Sequence, residues 1–190
     1  MAKDAERREP HRAGTRYVAL IRGINVGRAK RIAMADLRTL VEALGYADVR
    51  TLLNSGNIVF TAAAQTARAA GPRIERAMAD RLEVSARVTV LSASELADAI
   101  AGNPLLTIAD NPSRLLVTVL NQPADRVRLD PLTRQEWAPE ALAVGRRVAY
   151  LWCADGLLAS PLAVAVGRVL GDAATSRNWA TMIKLAAALG

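Results

Sequence analysis

Residues 49–61 read Val49-Arg50-Thr51-Leu52-Leu53-Asn54-Ser55-Gly56-Asn57-Ile58-Val59-Phe60-Thr61. Apolar, β-branched and aromatic residues fill both ends, and Asn-Ser-Gly-Asn in the middle is turn chemistry. The stretch therefore predicts a β-hairpin, with strands over 49–53 and 58–61. Upstream, Tyr17-Val18-Ala19-Leu20-Ile21 is a short apolar run that reads as a buried strand. After the Gly23–Gly27 loop, Met34, Leu37, Leu40, Val41 and Leu44 recur at helical spacing, and Gly45 follows as a stop. Downstream of the hairpin, Ile74, Met78 and Leu82 predict a helix from about Pro72. Arg87 to Leu91 alternates as a strand, and Ser92-Ala93-Ser94-Glu95 is an N-terminal cap signal before Leu96 and Ile100. The order strand, helix, strand, strand, helix, strand is that of a ferredoxin-like (βαββαβ) plait, so the fold class is α+β.

The second half restarts after Asn103-Pro104 and Asn111-Pro112. Leu115 to Leu120 predicts a strand. Pro123 to Trp137 is charged and carries two prolines, which suits a short helix with loops. Residues 141–144 and 148–152 form a hairpin around Gly145-Arg146. Asp155-Gly156 is a turn, a helix follows Pro161 as far as Leu170, and a last helix runs from Ala180 to Leu189. The expected organisation is a polar tail over 1–14, a ferredoxin-like subdomain over 15–102, and a smaller α+β subdomain over 103–190 packed against it. No internal repeat is legible in the letters.

Composition removes several chemistries. The chain has 190 residues, one His (His11) and one Cys (Cys153). A Cys/His zinc site needs about four such ligands, so none can form within one chain. A Ser-His-Asp triad would depend on His11 in the tail. A single Cys makes no internal disulfide, and no apolar run reaches a membrane span of about 18 residues, so the expectation is a soluble cytoplasmic protein without membrane contact. Cys153 follows an apolar strand and reads as a small core residue. The net charge is +7, carried by 22 Arg and only three Lys. The tail accounts for +1, and the remaining +6 favours an anionic partner or reflects a compositional bias towards arginine.

Three polar loops stand out. The first, Arg22-Gly23-Ile24-Asn25-Val26-Gly27-Arg28-Ala29-Lys30-Arg31, joins a strand to a helix. Its glycines allow close backbone approach and its cations suit an anion, although it ends in no Gly-Lys-Ser/Thr. The same loop also reads as a glycine hinge. The second is Asn54-Ser55-Gly56-Asn57. In the plait this turn lies at the end of the first strand from which Arg22 emerges, so the two loops should be neighbours. It also reads as self-contained turn chemistry. The third, Thr175-Ser176-Arg177-Asn178-Trp179-Ala180-Thr181 with Lys184, leads into the last helix. It supplies either capping and packing or a cationic wall with Trp179 as a platform.

The runs Arg22–Gly27, Asn54–Phe60 and Thr175–Thr181, with Met34, Leu37 and Lys184-Leu185 at their spacings, resemble the DUF1697 family of uncharacterised bacterial proteins. The likeness extends from Arg16 to Leu189 and implies a two-subdomain α/β plait. The family usually carries Ser-Lys-Leu before the penultimate helix, whereas this chain has Ser160-Pro161-Leu162.

The expected function is binding of a phosphate-bearing small molecule or nucleotide where the three loops meet. Its contacts would come from Arg22, Gly23, Asn25, Gly27, Arg28, Lys30, Asn54, Ser55, Gly56, Asn57, Arg177, Asn178, Trp179, Thr181 and Lys184. The alternatives are non-catalytic nucleic-acid binding and a homo-oligomeric interaction module. The sequence assigns no catalytic residue, cofactor or metal.

Overall fold

The computed structural model describes residues 14–26 and 31–190. Residues 1–13 of the expected tail, and Gly27, Arg28 and Lys30 of the glycine loop, lie outside the described residues.

The first half contains β1 (Thr15–Ile21), α1 (Met34–Ala43), β2 (Ala47–Leu52), β3 (Asn57–Ala62), α2 (Ala64–Ala67), α3 (Ala70–Leu82), β4 (Val88–Ser92) and α4 (Ala93–Ala101). Its strands form one antiparallel sheet in the order β2-β3-β1-β4. The second half contains β5 (Leu115–Leu120), α5 (Asp130–Thr133), β6 (Ala141–Val144), β7 (Val148–Trp152), α6 (Pro161–Leu170), β8 (Ala174–Asn178) and α7 (Trp179–Leu189). Its sheet order is β6-β7-β5-β8, again antiparallel.

Two features depart from the sequence reading. Residues 174–178, expected as a polar lead-in to the last helix, form the edge strand β8. Local letters do not favour a strand there; pairing with β5, with Val117 opposite Arg177, imposes it. The second departure is a topological repeat. Both halves place the first strand at the centre, the fourth at its side, and a helix directly after the fourth. The repeat escapes the sequence because corresponding positions hold unlike residues, such as Leu91 and Arg177.

Burial explains the apolar run Tyr17–Ile21 of β1 and the largely apolar β5, since alternate residues serve opposite faces and both faces are covered. Ala19 and Ile21 face an outer core with Leu37 and Leu40 of α1 and Ile74 and Met78 of α3. Val18 and Leu20 face a middle core shared with Leu96, Val117, Val119, Met182 and Leu185. Leu120, Leu151 and Cys153 face a third core with Leu162 and Val166 of α6. The middle core belongs to neither half alone.

Polar bonds cross the same joint. Arg16 and Arg50 donate to the carbonyls of Gly190 (3.0 Å) and Ala188 (2.7 Å) at the end of α7. The Tyr150 hydroxyl donates to the Ala99 carbonyl of α4 at 2.7 Å. No helix among the described residues is long and apolar enough to cross a membrane.

Candidate functional site

The first glycine loop leaves β1 through Arg22 and turns at Gly23, where φ is +65°. Asn25 also takes a left-handed conformation, which asparagine tolerates better than most residues. Its side chain then clasps the loop. The Oδ1 atom accepts from the Ile32 amide at 2.9 Å, and Nδ2 donates to the carbonyls of Ile32 (2.9 Å) and Asn54 (2.8 Å). The hairpin turn is held from beneath. Gly56 has φ +75°, and a Cβ there would lie 2.7 Å from Ile24 Cδ1 and 2.9 Å from Ile21 Cβ. Asn57 is wholly buried and donates to the Leu52 carbonyl and Ser55 Oγ.

Arg177 enters this knot from β8 of the other half. Its Nε donates to Asn57 Oδ1 at 2.6 Å. Nη1 donates to Thr175 Oγ1 and the Ser176 carbonyl, and Nη2 to the carbonyls of Ile21 (2.8 Å), Ser55 (2.9 Å) and Gly56 (3.3 Å). All of these acceptors are neutral. Among the described residues no carboxylate lies within 4.0 Å of this guanidinium; the ion pairs there are made by Arg22, Arg38, Arg87, Arg128 and Arg147. Burial pushes its pKa down to about 10, so the group is still charged at neutral pH.

The three loops therefore do converge, and an open cleft of about 460 Å³ lies over the knot. Arg22, Gly23, Ser55, Arg177, Asn178 and Thr181, all singled out in the sequence, line it. Ile24, Val26, Leu116 and Leu157 add an apolar side that sequence reasoning missed, and Thr175 and Ser176 add hydroxyls. Val26 is 70% exposed at the rim. Arg22 is partly exposed there, with Nη1 donating to the Ala174 carbonyl at 2.6 Å and Nε 3.4 Å from Asp172 Oδ1.

Several expected ligand contacts are occupied otherwise. Asn25, Asn57 and Arg177 spend their side-chain polar atoms on the protein itself, since burial makes an unpaired amide or guanidinium costly. Asn54 is exposed, but its carbonyl holds Asn25. Asn178 caps α7, its Oδ1 accepting from the Thr181 amide at 3.0 Å. Trp179 packs against the middle core and Lys184 is exposed farther along α7; neither lines the cleft. Cys153 is a buried free thiol whose pKa burial pushes up, which makes it inert. Among the described residues no group of three or more His, Cys, Asp or Glu could hold a metal ion.

The family model described as "Protein of unknown function (DUF1697)" matches residues 15–150. The chain belongs to the DUF1697 family. The matched region carries the Arg22–Val26 loop and the Asn54–Asn57 turn, while β8 and α7 lie beyond it. A solved structure, that of the conserved bacterial protein SP0830 from Streptococcus pneumoniae, is similar over 94% of this chain and 100% of its own, with 25% identity and a TM-score of 0.72. No curated protein matches the chain. In this DUF1697 member the Ser160-Pro161-Leu162 departure has a local role. Ser160 Oγ accepts from the Ala163 amide at 2.9 Å and Pro161 opens α6, so the segment is a helix start.

Proposed function

We propose that this protein binds a phosphate-bearing small molecule, with a nucleotide as the favoured class, in the cleft between the Gly23–Val26 loop, Ser55 and the β8–α7 junction. One observation carries the reading. A buried arginine whose hydrogen bonds all go to neutral groups leaves one positive charge unopposed beneath an open cleft. Desolvated charge of that kind is costly, and an anion in the cleft offsets part of the cost. Arg22 at the rim supplies a second guanidinium suited to phosphate oxygens. Val26, Leu116 and Leu157 supply the apolar side against which a base or sugar would pack.

The same reading makes each half a ferredoxin-like plait, supported by the βαββαβ order and the sheet orders above. Base stacking on a sheet face finds little support, because Tyr17 and Phe60 stack on each other inside the outer core, 5.7 Å between centroids. A cytoplasmic location accords with the single buried thiol.

The test is a thermal-shift panel of nucleotides and phosphosugars, each beside its dephosphorylated counterpart. A ligand at a hundredfold excess over its Kd raises stability by about 2.7 kcal/mol. Phosphate-bearing members should raise Tm and their counterparts should not. Arg22→Ala should remove the shift while leaving the ligand-free Tm close to the native value. Equal shifts for both members of each pair, or none at all, would overturn the reading.

A further inference from the structure

The topological repeat generates a second cleft beside the first. Strand register fixes the correspondence. Ser92 lies opposite Tyr17 and caps α4; Asn178 lies opposite Leu116 and caps α7. Counting from these caps, Val90 corresponds to Ser176, Glu95 to Thr181, and Ile21 to Leu120. The second cleft, of about 660 Å³, is lined by Val90, Ser92, Glu95, Asn121 and Arg147 among others. Its floor is built from β4 and the start of α4 of one half, with the segment after β5 from the other, and α2 and α3 add a further wall. The floor of the first cleft repeats that junction with the halves exchanged, from β8, the start of α7 and the segment after β1.

Each cleft holds a guanidinium on the same pair of carbonyls. Arg177 donates to Ile21 and Ser176, both at 2.8 Å. Arg147 donates to Leu120 (3.3 Å) and Val90 (2.9 Å), their counterparts. The two arginines come from non-corresponding positions, one just before β7 and one within β8. Shared descent of one residue therefore does not explain the coincidence; each cleft places a cation at that point from a different position.

What differs is the anion. In the second cleft the carboxylate of Glu95, third residue of α4, pairs with Arg147 and accepts from the Ser92 amide at 2.9 Å. In the first cleft the third residue of α7 is Thr181, too short and uncharged to do this. We infer that the first cleft seats an oxyanion of an exogenous ligand beside Thr181, in the place that the Glu95 carboxylate fills in the second. This deepens the proposed function by assigning the ligand's phosphate group to one position. Arg177, with its N–H groups engaged by the protein, acts there through charge; Arg22 and the Thr181 side, both lining the cleft, make the contacts.

The experiment titrates inorganic phosphate, with acetate as a second arm, into the native protein and into Thr181→Glu, Thr181→Gln and Glu95→Thr. Thr181→Glu should bring in the missing carboxylate. Its ligand-free Tm should exceed that of Thr181→Gln at low salt, with the gap closing as salt rises, and it should bind phosphate at least about tenfold more weakly than the native protein. Glu95→Thr should raise the stoichiometry from one phosphate to two. A Thr181→Glu protein no more stable than Thr181→Gln that still binds phosphate overturns the seat. If nucleotides then bind with Arg22 dependence, the proposed function survives that failure. If phosphate binding obeys Thr181 but no phosphoester binds, or acetate binds the more tightly, the seat stands and the phosphate-bearing ligand class falls.

Discussion

Among the described residues, Arg177 is one of seven buried polar or charged residues and the only one of them that carries a full charge. Its partners include the Ile21 and Ser55 carbonyls and Asn57, all from the first half, so removing it orphans several buried acceptors together. Arg177→Met should lower unfolding stability by about 3 kcal/mol, measured by denaturant melts at neutral pH. An unchanged midpoint would mean that water or a neighbour satisfies those acceptors. Gly56 makes a second test at the same scale. Its φ of +75° disfavours any side chain, and a Cβ would press on Ile21 and Ile24. Gly56→Ala should cost about 1–3 kcal/mol, read from the same melts. The Asn and Gly letters of the hairpin were legible as a turn. Their other duty, receiving an arginine 120 residues away, was not, because a sequence does not show which buried donor meets which acceptor.

Among elements, α4 and α7 contrast most. Both follow an edge strand and both have a side-chain cap, but only α4 closes a capping box, with Ser92 and Glu95 bonding each other's amides. Burial raises the Glu95 pKa, and the Ser92 amide with the Arg147 guanidinium together lower it by more, leaving it below the ordinary carboxylate value. A carboxyl depressed in the folded state contributes stability above its unfolded pKa and loses it as pH falls through the folded one. Thermal melts should therefore show the native protein losing stability into the acid range more steeply than Glu95→Gln. Parallel curves would show that Glu95 adds nothing on folding. The cap of α4 could be read from Ser92-Ala93-Ser94-Glu95 because it is local. Strand β8 could not be read from Thr175-Ser176-Arg177, because what makes it a strand is β5 alongside.

For the molecule as a whole, the shared middle core decides how it folds. Leu96 and Ala99 of α4 and Met182 and Leu185 of α7 join residues of both sheets in one cluster. Burying a Leu or Met side chain contributes about 1.5–3 kcal/mol, so either half by itself would expose several such groups to water. Separately produced segments 14–102 and 103–190 should each lack dispersed NMR spectra and a cooperative melt, and mixing them should restore both. A cooperative melt from either segment alone would show that its outer core suffices. The sequence by itself determined the elements whose causes are local: the hairpin at 49–61, the apolar strands, the helix periodicity, and the caps and stops. It also determined that the chain cannot build a Cys/His zinc site. Tertiary structure decided the rest: that 174–178 is a strand, that the halves repeat one topology, and that an arginine from one half is sealed under the loops of the other. Those outcomes depend on free energies of burial and pairing between groups far apart in the chain, and neither spacing nor composition carries that information.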